Sequence, residues 1–319
     1  MTTAVNTVAL TIEEKTLEIL NEFGLNFKIG KFRSRSILED GSLFEGEKND
    51  YFNLINMSTG TAINTVKEGY VISQNDEVVR LVLTGIEKFG DVLKVTKAGS
   101  LNEGRKVFIQ IAIEGLEKVG TDYIQRFITI IDSNDSSCGL AIGVGDVTLS
   151  CQNQFTRFYS KADCKFRHSA TLEQKMKEIP TLIEEALGKS MQQIEIYRQL
   201  ERSDLSQNNI IDAMVKAVLG YDKHFTSMEV LSKKSKRSID AMETLYNHIA
   251  KEIAQKGATL WGLHSGVTSY TTHELKAPKR ENGQVESLLI GRANKMNQKS
   301  LAFVTSKAGV EIAKEEDSE

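Results

Sequence analysis

Basic and aromatic residues are interleaved over the run from Arg157 to His168. Phosphates require cations, and the unstacked bases of a single strand require flat apolar faces, so this mixture is typical of single-strand binding. A surface loop packed by its own aromatic rings gives the same pattern, and that interpretation stays open. The residues of this run that we predict to contact nucleic acid are Arg157, Phe158, Tyr159, Lys161, Lys165, Phe166, Arg167 and His168.

Two further groups of cations follow in the second half of the chain. One surrounds a predicted helix start, where a basic cluster is either a solvated loop or a contact to a phosphate backbone. The other lies near the start of the last predicted helix, residues 294–305. The members of these two groups that we add to the predicted nucleic-acid-binding set are Lys233, Lys234, Lys236, Arg237, Arg292, Lys295 and Lys299.

The formal net charge of −3 conceals an uneven distribution. Residues 1–150 carry 15 Lys and Arg against 21 Asp and Glu, a balance of −6, whereas residues 151–310 carry 24 against 17, a balance of +7. Residues 311–319 carry 1 against 5, a balance of −4. A basic half indicates either a nucleic-acid partner or helices with solvated Lys and Arg faces.

Carboxylates and a histidine suggest a second, catalytic interpretation. Asp132 and Asp135 together with His168 would suit a nuclease or nucleotide-modifying enzyme if they converged in one cleft. The polar run around the two aspartates is also ordinary turn chemistry, because Asp and Asn side chains hydrogen-bond their own backbone. We find no serine in a nucleophile elbow and assign no catalytic residue.

Cofactor and metal motifs are missing from the sequence. Gly139, Gly143 and Gly145 lack the Lys-Ser/Thr of a phosphate-binding loop, which favours strand and turn glycines. The histidines form no HxH or HExxH pair, and the three cysteines are spaced 13 residues apart, unlike a zinc site. We therefore predict no cofactor, no metal and reduced thiols in a cytosol.

The periodicity of apolar residues changes near residue 150. A helix from Thr11 to Phe23 comes first, followed by strands and one helix from Asp76 to Phe89, capped by Asn75 or Asp76. Helical spacing then dominates, with Pro180 able to break a long helix over residues 171–199. The fold class we predict is α+β: an antiparallel sheet from the N-terminal half packed against helices mainly from the C-terminal half.

The helix predicted over residues 258–273 is apolar and aromatic and contains Trp261 and Tyr270. These two residues lie nine positions apart and face different directions on one helix, so both directions must be covered. A helix that is apolar all round is a buried helix, and we place Trp261 and Tyr270 in the core.

Seven segments in order resemble a known family. They are GLNF at Gly24, EGYVISQNDEVVRLV at Glu68, GRKVFIQIAI at Gly104, IIDSNDSSCGL at Ile130, VTLSCQNQF at Val147, RHSAT at Arg167 and TLWGLHSGVTSYTTH at Thr259. Together they resemble the phage/plasmid-like protein family, which shares a domain of unknown function, over about residues 20–305. His264, Ser265 and the pair Asp135-Ser136 depart from the family's pattern. The resemblance implies a phage or plasmid gene working in a bacterial cytosol.

Our interpretation is one α+β domain over residues 1–313, β-rich to residue 150 and helix-rich beyond it, with a disordered acidic tail over residues 314–319. The predicted function is non-catalytic binding of single-stranded DNA, extending to strand annealing in recombination. A homo-oligomeric ring or filament that lays a strand along many subunits suits that function. The alternatives are a nuclease or nucleotide-modifying enzyme, and an anti-defence factor that binds a host protein. No apolar stretch is long enough for a membrane span.

Overall fold

The first helix, α1 (Ile12–Glu22), begins at Thr11 in the computed structural model of the chain. The Thr11 hydroxyl accepts from the Glu14 N–H at 3.2 Å, and the Glu14 carboxylate accepts from the Thr11 N–H at 2.8 Å. This reciprocal capping box satisfies two free donors of the first turn. Gly24, with φ +66°, follows the helix in the left-handed conformation that glycine adopts without strain. The predicted helix from Thr11 to Phe23 is confirmed.

The structure describes residues 10–44, 50–150, 152–158, 165–205, 209–220 and 236–310, and Arg157, Phe158, Lys165 and Arg237 as backbone alone. These residues belong to two compact units. The first unit comprises Met1–Ile111, Ile130–Ile142 and Ala162–Glu185, and the second comprises Ala112–Thr129, Gly143–Lys161 and Ala186–Glu319. The single domain over residues 1–313 stays a prediction, and the acidic tail over residues 314–319 lies outside the described residues.

A small antiparallel sheet and two helices form part of the first unit. The strands are β1 (Ile29–Arg33), β2 (Tyr51–Asn56) and β3 (Ala62–Lys67), in the order β1-β2-β3. One face of this sheet buries an apolar cluster of Ile29, Leu54, Ile63 and Val66. Helix α2 (Asn75–Glu87) packs against α1.

The predicted cap of α2 is wrong. Gln74 is the N-cap, and no side chain caps the helix. Asn75 instead donates its amide to the Leu25 carbonyl at 3.0 Å and to the Phe27 carbonyl at 3.4 Å. Asn75 is buried, so its amide needs partners within the protein. The two carbonyls satisfy it and connect the preceding chain to the start of α2.

The larger sheet follows the order β4-β5-β6-β7-β8, with β9 also paired to β7. Its strands β5, β6 and β7 contribute residues to both units. From Ile128 to Ser133 every residue of β6 is buried, so both faces of the strand are covered there. The strand ranges are β4 Leu93–Leu101, β5 Lys106–Val119, β6 Asp122–Ser133, β7 Leu140–Thr148, β8 Gln154–Phe158 and β9 Lys165–Phe166.

Glycines at β7 allow the neighbouring backbone to approach closely. A Cβ on Gly139 would lie 2.0 Å from the Phe166 carbonyl oxygen, and one on Gly145 would lie 2.9 Å from the Phe155 carbonyl oxygen. Only glycine fits such contacts. The interpretation of these residues as strand and turn glycines, rather than a phosphate-binding loop, is confirmed.

Helices dominate the chain after β9. The predicted break at Pro180 is confirmed, because α3 ends at Met176 and Pro180 lies in the first turn of α4, where its missing N–H costs nothing. The helix ranges are α3 Leu172–Met176, α4 Ile179–Glu201, α5 Ile210–Leu219, α6 Lys236–Lys256, α7 Leu260–His273, α8 Gly283–Leu289 and α9 Arg292–Ala308. Antiparallel sheets in the N-terminal half and helices mainly in the C-terminal half confirm the predicted α+β class. No helix within the described ranges is long and apolar enough to cross a membrane.

Helix α7 is the centre of the second unit. Every residue from Leu260 to Thr271 is buried, and Trp261 and Tyr270 are 4% and 5% exposed. Gly266 allows α6 to come close, since a Cβ there would lie 2.4 Å from the Ile249 Cα. The prediction that Trp261 and Tyr270 lie in the core is confirmed.

Candidate functional site

A buried ion pair in the first unit joins the end of β6 to the segment that follows β9. His168 Nε2 lies 2.9 Å from Asp132 Oδ1, and His168 Nδ1 lies 2.9 Å from the Val71 carbonyl oxygen. The side chains of His168 and Asp132 are 4% and 1% exposed. Asp132 and His168, two of the three residues named for the catalytic alternative, therefore contact each other.

The geometry fixes the protonation state of His168. Both ring nitrogens face acceptors, so both must carry a proton and the ring is an imidazolium. Burial of the ring opposes its charge, but the hydrogen bond and charge of Asp132 and the bond to Val71 outweigh burial and raise the pKa of His168. Both contacts therefore favour the charged form of the ring.

Ser73 also belongs to this cluster, but it contacts Asp132 and not the imidazole, so His168 cannot activate its hydroxyl as a nucleophile. Its hydroxyl donates to Asp132 Oδ2, so the carboxylate lies between the serine and the imidazole. In a serine triad the imidazole contacts the hydroxyl and removes its proton, and here both ring nitrogens are already engaged. The arrangement ties the segment before α2 to the end of β6, which is a structural role.

Asp135 is engaged elsewhere in the first unit. Its carboxylate pairs with Lys106 at 2.8 Å, and these side chains are 11% and 8% exposed. Burial raises the pKa of Asp135, but hydrogen bonds from Lys106 and Ser137 outweigh it and lower the pKa below its ordinary value. Each aspartate thus has its own cation. Among the described residues no group of three or more His, Cys, Asp or Glu could hold a metal ion.

A second buried polar cluster surrounds Trp261 in the second unit. Its indole N–H donates to Asp122 Oδ2 at 2.9 Å, and Lys256 Nζ lies 2.7 Å from the same oxygen. Ser150 donates to the other carboxylate oxygen at 2.9 Å. A buried carboxylate is stable only when it is paired and hydrogen-bonded, and three donors meet that need for Asp122. We therefore assign this cluster a structural role.

Asp146 is the buried carboxyl with the most perturbed environment in this unit. It accepts from the Tyr197 hydroxyl at 2.7 Å and from the Gln193 amide at 2.6 Å, and no cation is within ion-pair distance among the described residues. Burial raises the pKa of Asp146 to about 7 although both hydrogen bonds oppose the rise. Nearby in the chain, Asn153 donates to the Ser265 carbonyl at 3.2 Å.

Helix α9 presents a row of cations on its exposed side. Arg292, Lys295 and Lys299 are all exposed and follow the spacing of three and four residues that places side chains on one helix face. No described carboxylate forms an ion pair with any of the three. The opposite face is buried and anchored, since Asn297 donates to the Gln154 carbonyl of β8 at 3.2 Å.

The charge of α9 is unusual for a helix start. The helix contains four Lys and Arg and no Asp or Glu. Acidic residues are preferred in a first turn because the helix dipole is positive there, yet α9 has none and places Arg292 at that end. The positive potentials of the dipole and of the side chains therefore add.

The remaining predicted nucleic-acid-binding residues are distributed as follows. Arg167 and Lys236 are exposed. Phe166 is fully buried and His168 is held in its ion pair, so neither ring is open to a base, which corrects those two assignments. Arg157, Phe158, Lys165 and Arg237 are placed as backbone, and Tyr159, Lys161, Lys233 and Lys234 lie outside the described residues.

Two residues that we did not predict extend the row on α9. Phe303 follows Lys299 by four residues and is half-buried, and Lys307 follows by four more and is exposed. Lys307 Nζ lies 5.7 Å from the centroid of the Phe303 ring. The i, i+4 spacing was available in the sequence, but the partial exposure of Phe303 depends on packing. We call Arg292, Lys295, Lys299, Phe303 and Lys307 the α9 face.

A family model matches most of the chain. The family model described as Domain of unknown function (DUF932) matches residues 62–300 of the 319-residue chain. Six of the seven segments noted in the sequence fall within this match, and the segment at Gly24 lies outside it. No curated protein and no solved structure gives a significant match.

Proposed function

Because the chain belongs to the DUF932 family, which carries no activity from which to argue, we propose a function from its own surface: non-catalytic binding of single-stranded DNA along the α9 face. The observation that carries this proposal is the row of exposed cations Arg292, Lys295 and Lys299, which no described carboxylate neutralises. Such a row offers phosphate contacts without a competing internal partner.

The composition of the α9 face favours a single strand over a duplex. Phe303 lies on the same face as the cations, and a partly exposed ring can stack an unpaired base, which a duplex keeps inside its own stack. From Arg292 to Lys307 the helix rises about 22 Å, at about 1.5 Å per residue, so one protein would contact a short strand. Extended binding would then require several copies, which is consistent with a homo-oligomer.

The setting we propose is a phage or plasmid gene acting in the bacterial cytosol. The segments that resemble phage and plasmid proteins support it, and strand annealing during recombination is a step that a non-catalytic single-strand binder serves. The enzymatic alternative has no supporting observation, since Asp132, Asp135 and His168 are engaged in separate ion pairs.

The direct test is fluorescence anisotropy of labelled oligo(dT) at low salt, with duplex DNA and heparin as competitors. The variant R292Q/K295Q/K299Q should lose most of the affinity. The matched control K94Q/K97Q/K177Q removes three exposed lysines from the first unit and should bind like the parent protein. No binding by the parent at micromolar concentration would reject DNA binding and favour a host-protein partner. If heparin competes as well as unlabelled oligo(dT), the α9 face binds polyanions in general and has no preference for DNA.

A further inference from the structure

Residues 35–44, which follow β1, form a short hairpin that we call the arm. Two main-chain bonds join its strands: the Leu38 N–H donates to the Ser42 carbonyl at 2.8 Å, and the Phe44 N–H donates to the Ser36 carbonyl at 3.0 Å. The even-numbered residues of the first arm strand therefore bond the second arm strand.

Ile37 directs its main-chain groups away from the second arm strand. It lies opposite Leu43 in an antiparallel bridge, between the two bonded pairs. Bonded and non-bonded pairs alternate along an antiparallel ladder, so Ile37 and Leu43 form a non-bonded pair. Among the described residues no main-chain hydrogen bond reaches the Ile37 N–H or C=O. One edge of the arm is therefore open to strand pairing at Ile37.

Both faces of the arm are apolar and exposed. Ile37 and Leu43 lie on one face and are 68% and 58% exposed. Leu38 and Phe44 lie on the other face, by the alternation of side chains along a strand, and are 48% and 51% exposed. A two-stranded hairpin is at best marginally stable alone in water, and clustered exposed apolar residues mark a surface that binds a partner.

The charges of the arm define that partner. Arg35 lies two positions before Ile37, and the acidic turn residues Glu39 and Asp40 follow at the other end of the strand. Arg35 and Glu39 are exposed, and neither forms an ion pair with a described residue. In an antiparallel pair of two copies centred on Ile37, Arg35 of each copy would meet the acidic turn of the other. Opposite charges that meet across strands stabilise the pair, so the segment is complementary to itself.

The same register aligns the apolar residues. Ile37 would lie opposite Ile37 of the second copy and exchange both main-chain bonds with it, as outward-directed residues do in an antiparallel pair. Leu43 flanks Ile37 within each arm, so one face of the paired arms would carry a row of four apolar side chains. Pairing would also cover Ile37, which is the most exposed large hydrophobic residue within the described ranges.

We propose that the arm is a self-association site, at which two copies of the chain pair antiparallel about a two-fold axis at Ile37. A two-fold contact uses the same patch on both copies, and a self-complementary segment meets that condition. The contact is small, so the dimer is weak and depends on protein concentration. It uses residues of the first unit alone and does not rest on the proposed DNA binding.

Sedimentation equilibrium of the full-length protein, without DNA, tests the proposal. The parent should dimerise as its concentration rises through the micromolar range. R35E and E39R should each weaken the dimer about tenfold or more, because two attractive contacts become repulsive. An equimolar mixture of R35E and E39R should dimerise again, since every altered charge then meets its opposite in the other variant.

Two further variants keep the result interpretable. R80E reverses an exposed charge on α2, in the same unit, and should dimerise like the parent. I37P removes the outward N–H while leaving the two bonds between the arm strands in place, and should abolish the dimer. Thermal melting establishes that each variant is folded. A parent that stays monomeric, a dimer that R35E leaves intact, or a mixture that does not recover the dimer would overturn the proposal.

Discussion

The rings of Tyr70 and His168 are stacked face to face, with centroids 4.8 Å apart and planes inclined by 6°. The imidazolium therefore has an aromatic face above it, Asp132 at Nε2 and the Val71 carbonyl at Nδ1. Burial, followed by the charges of Asp132 and Asp135, raises the pKa of the Tyr70 phenol, so it stays neutral at all physiological pH values. The cluster thus combines one cation, one anion and one neutral ring, and its stability depends on pH through His168.

Replacing His168 by alanine should destabilise the protein by about 3–5 kcal/mol, because Asp132 would remain buried without its cation. The raised folded pKa means that the contribution of His168 is fully present below its unfolded pKa and is lost as pH rises through the folded pKa. Urea denaturation of the H168A and parent proteins should therefore show a difference that shrinks at alkaline pH. A difference below 1 kcal/mol at neutral pH would contradict the ion pair.

Asp146 should also make the stability of the protein fall as pH rises, as His168 does. The folded Asp146 pKa of about 7 lies above the ordinary aspartate value of 3.8, so the free energy of unfolding is highest below the unfolded pKa and falls as pH rises through about 7. Three pKa units correspond to roughly 4 kcal/mol as an upper limit. Asp146→Asn keeps an oxygen that can accept from Tyr197 and cannot ionise. This variant should exceed the parent in stability at pH about 8 and match it at pH about 4, and a constant difference across pH would contradict this.

Trp261→Ala should cost about 3–5 kcal/mol, since it removes a buried aromatic ring and a hydrogen bond to Asp122 together. Trp261→Phe retains most of the volume and should cost less, because Lys256 and Ser150 still satisfy the carboxylate. The parent's tryptophan fluorescence, which comes from this single residue, should resist iodide quenching. Free quenching would show that Trp261 is exposed in solution.

Local patterns predicted elements well where the partners lie near in the chain. The helix start at Thr11 and the break at Pro180 each depend on neighbours within a few residues. The cap at Asn75 was wrong because carbonyls fifty positions earlier compete for its amide. Phe166 was misassigned for the same kind of reason, since a strand pairing to Leu140 decides that it is buried. Non-local pairing of this kind leaves no local signal.

The candidate site likewise combines features that depend on neighbours in the chain with features that depend on distant residues. Arg292, Lys295 and Lys299 were predicted as nucleic-acid contacts near the start of the last helix, and the structure places all three on the exposed side of α9. The sequence suggested Asp132, Asp135 and His168 as a catalytic set, but their chemistry depends on which cation meets which carboxylate. Lys106 is 29 residues from Asp135 in the chain, and no spacing rule connects the two.

Two glycines in helices predict opposite effects of the same substitution. Gly266→Ala would place a Cβ 2.4 Å from the Ile249 backbone and should destabilise the protein by about 1–3 kcal/mol or more, because α6 and α7 must separate. Gly188, exposed in α4, has nothing within 4 Å of an added Cβ, and Gly188→Ala should stabilise by about 0.5–1 kcal/mol. Chemical denaturation of both variants checks the pair. A neutral G266A would mean that the helices are less closely packed than the structure indicates.

The salt dependence of DNA binding should distinguish the contribution of the cations on the α9 face from that of base stacking. If phosphate contacts dominate, log affinity falls with log salt by about 0.7 per contacted phosphate on a single strand. The variant R292Q/K295Q/K299Q should therefore flatten the slope by about 2, while K94Q/K97Q/K177Q leaves it unchanged. K161Q/K165Q/R167Q tests the Arg157–His168 run in the same assay and should flatten the slope if that run also lies along the strand.

Phe303→Ala should weaken binding by about 1–3 kcal/mol without changing the salt slope, because a stacked base releases no counterion. Phe303 also packs partly against the core of the second unit, so a loss of affinity could arise from altered packing. Phe303→Leu is the matched control, since it keeps an apolar side chain of similar reach but removes the flat ring. Equal loss in both variants assigns the effect to stacking, provided that their melting temperatures match the parent's. Full affinity in F303L would instead assign it to packing, and Phe303 would be removed from the α9 face as a base contact.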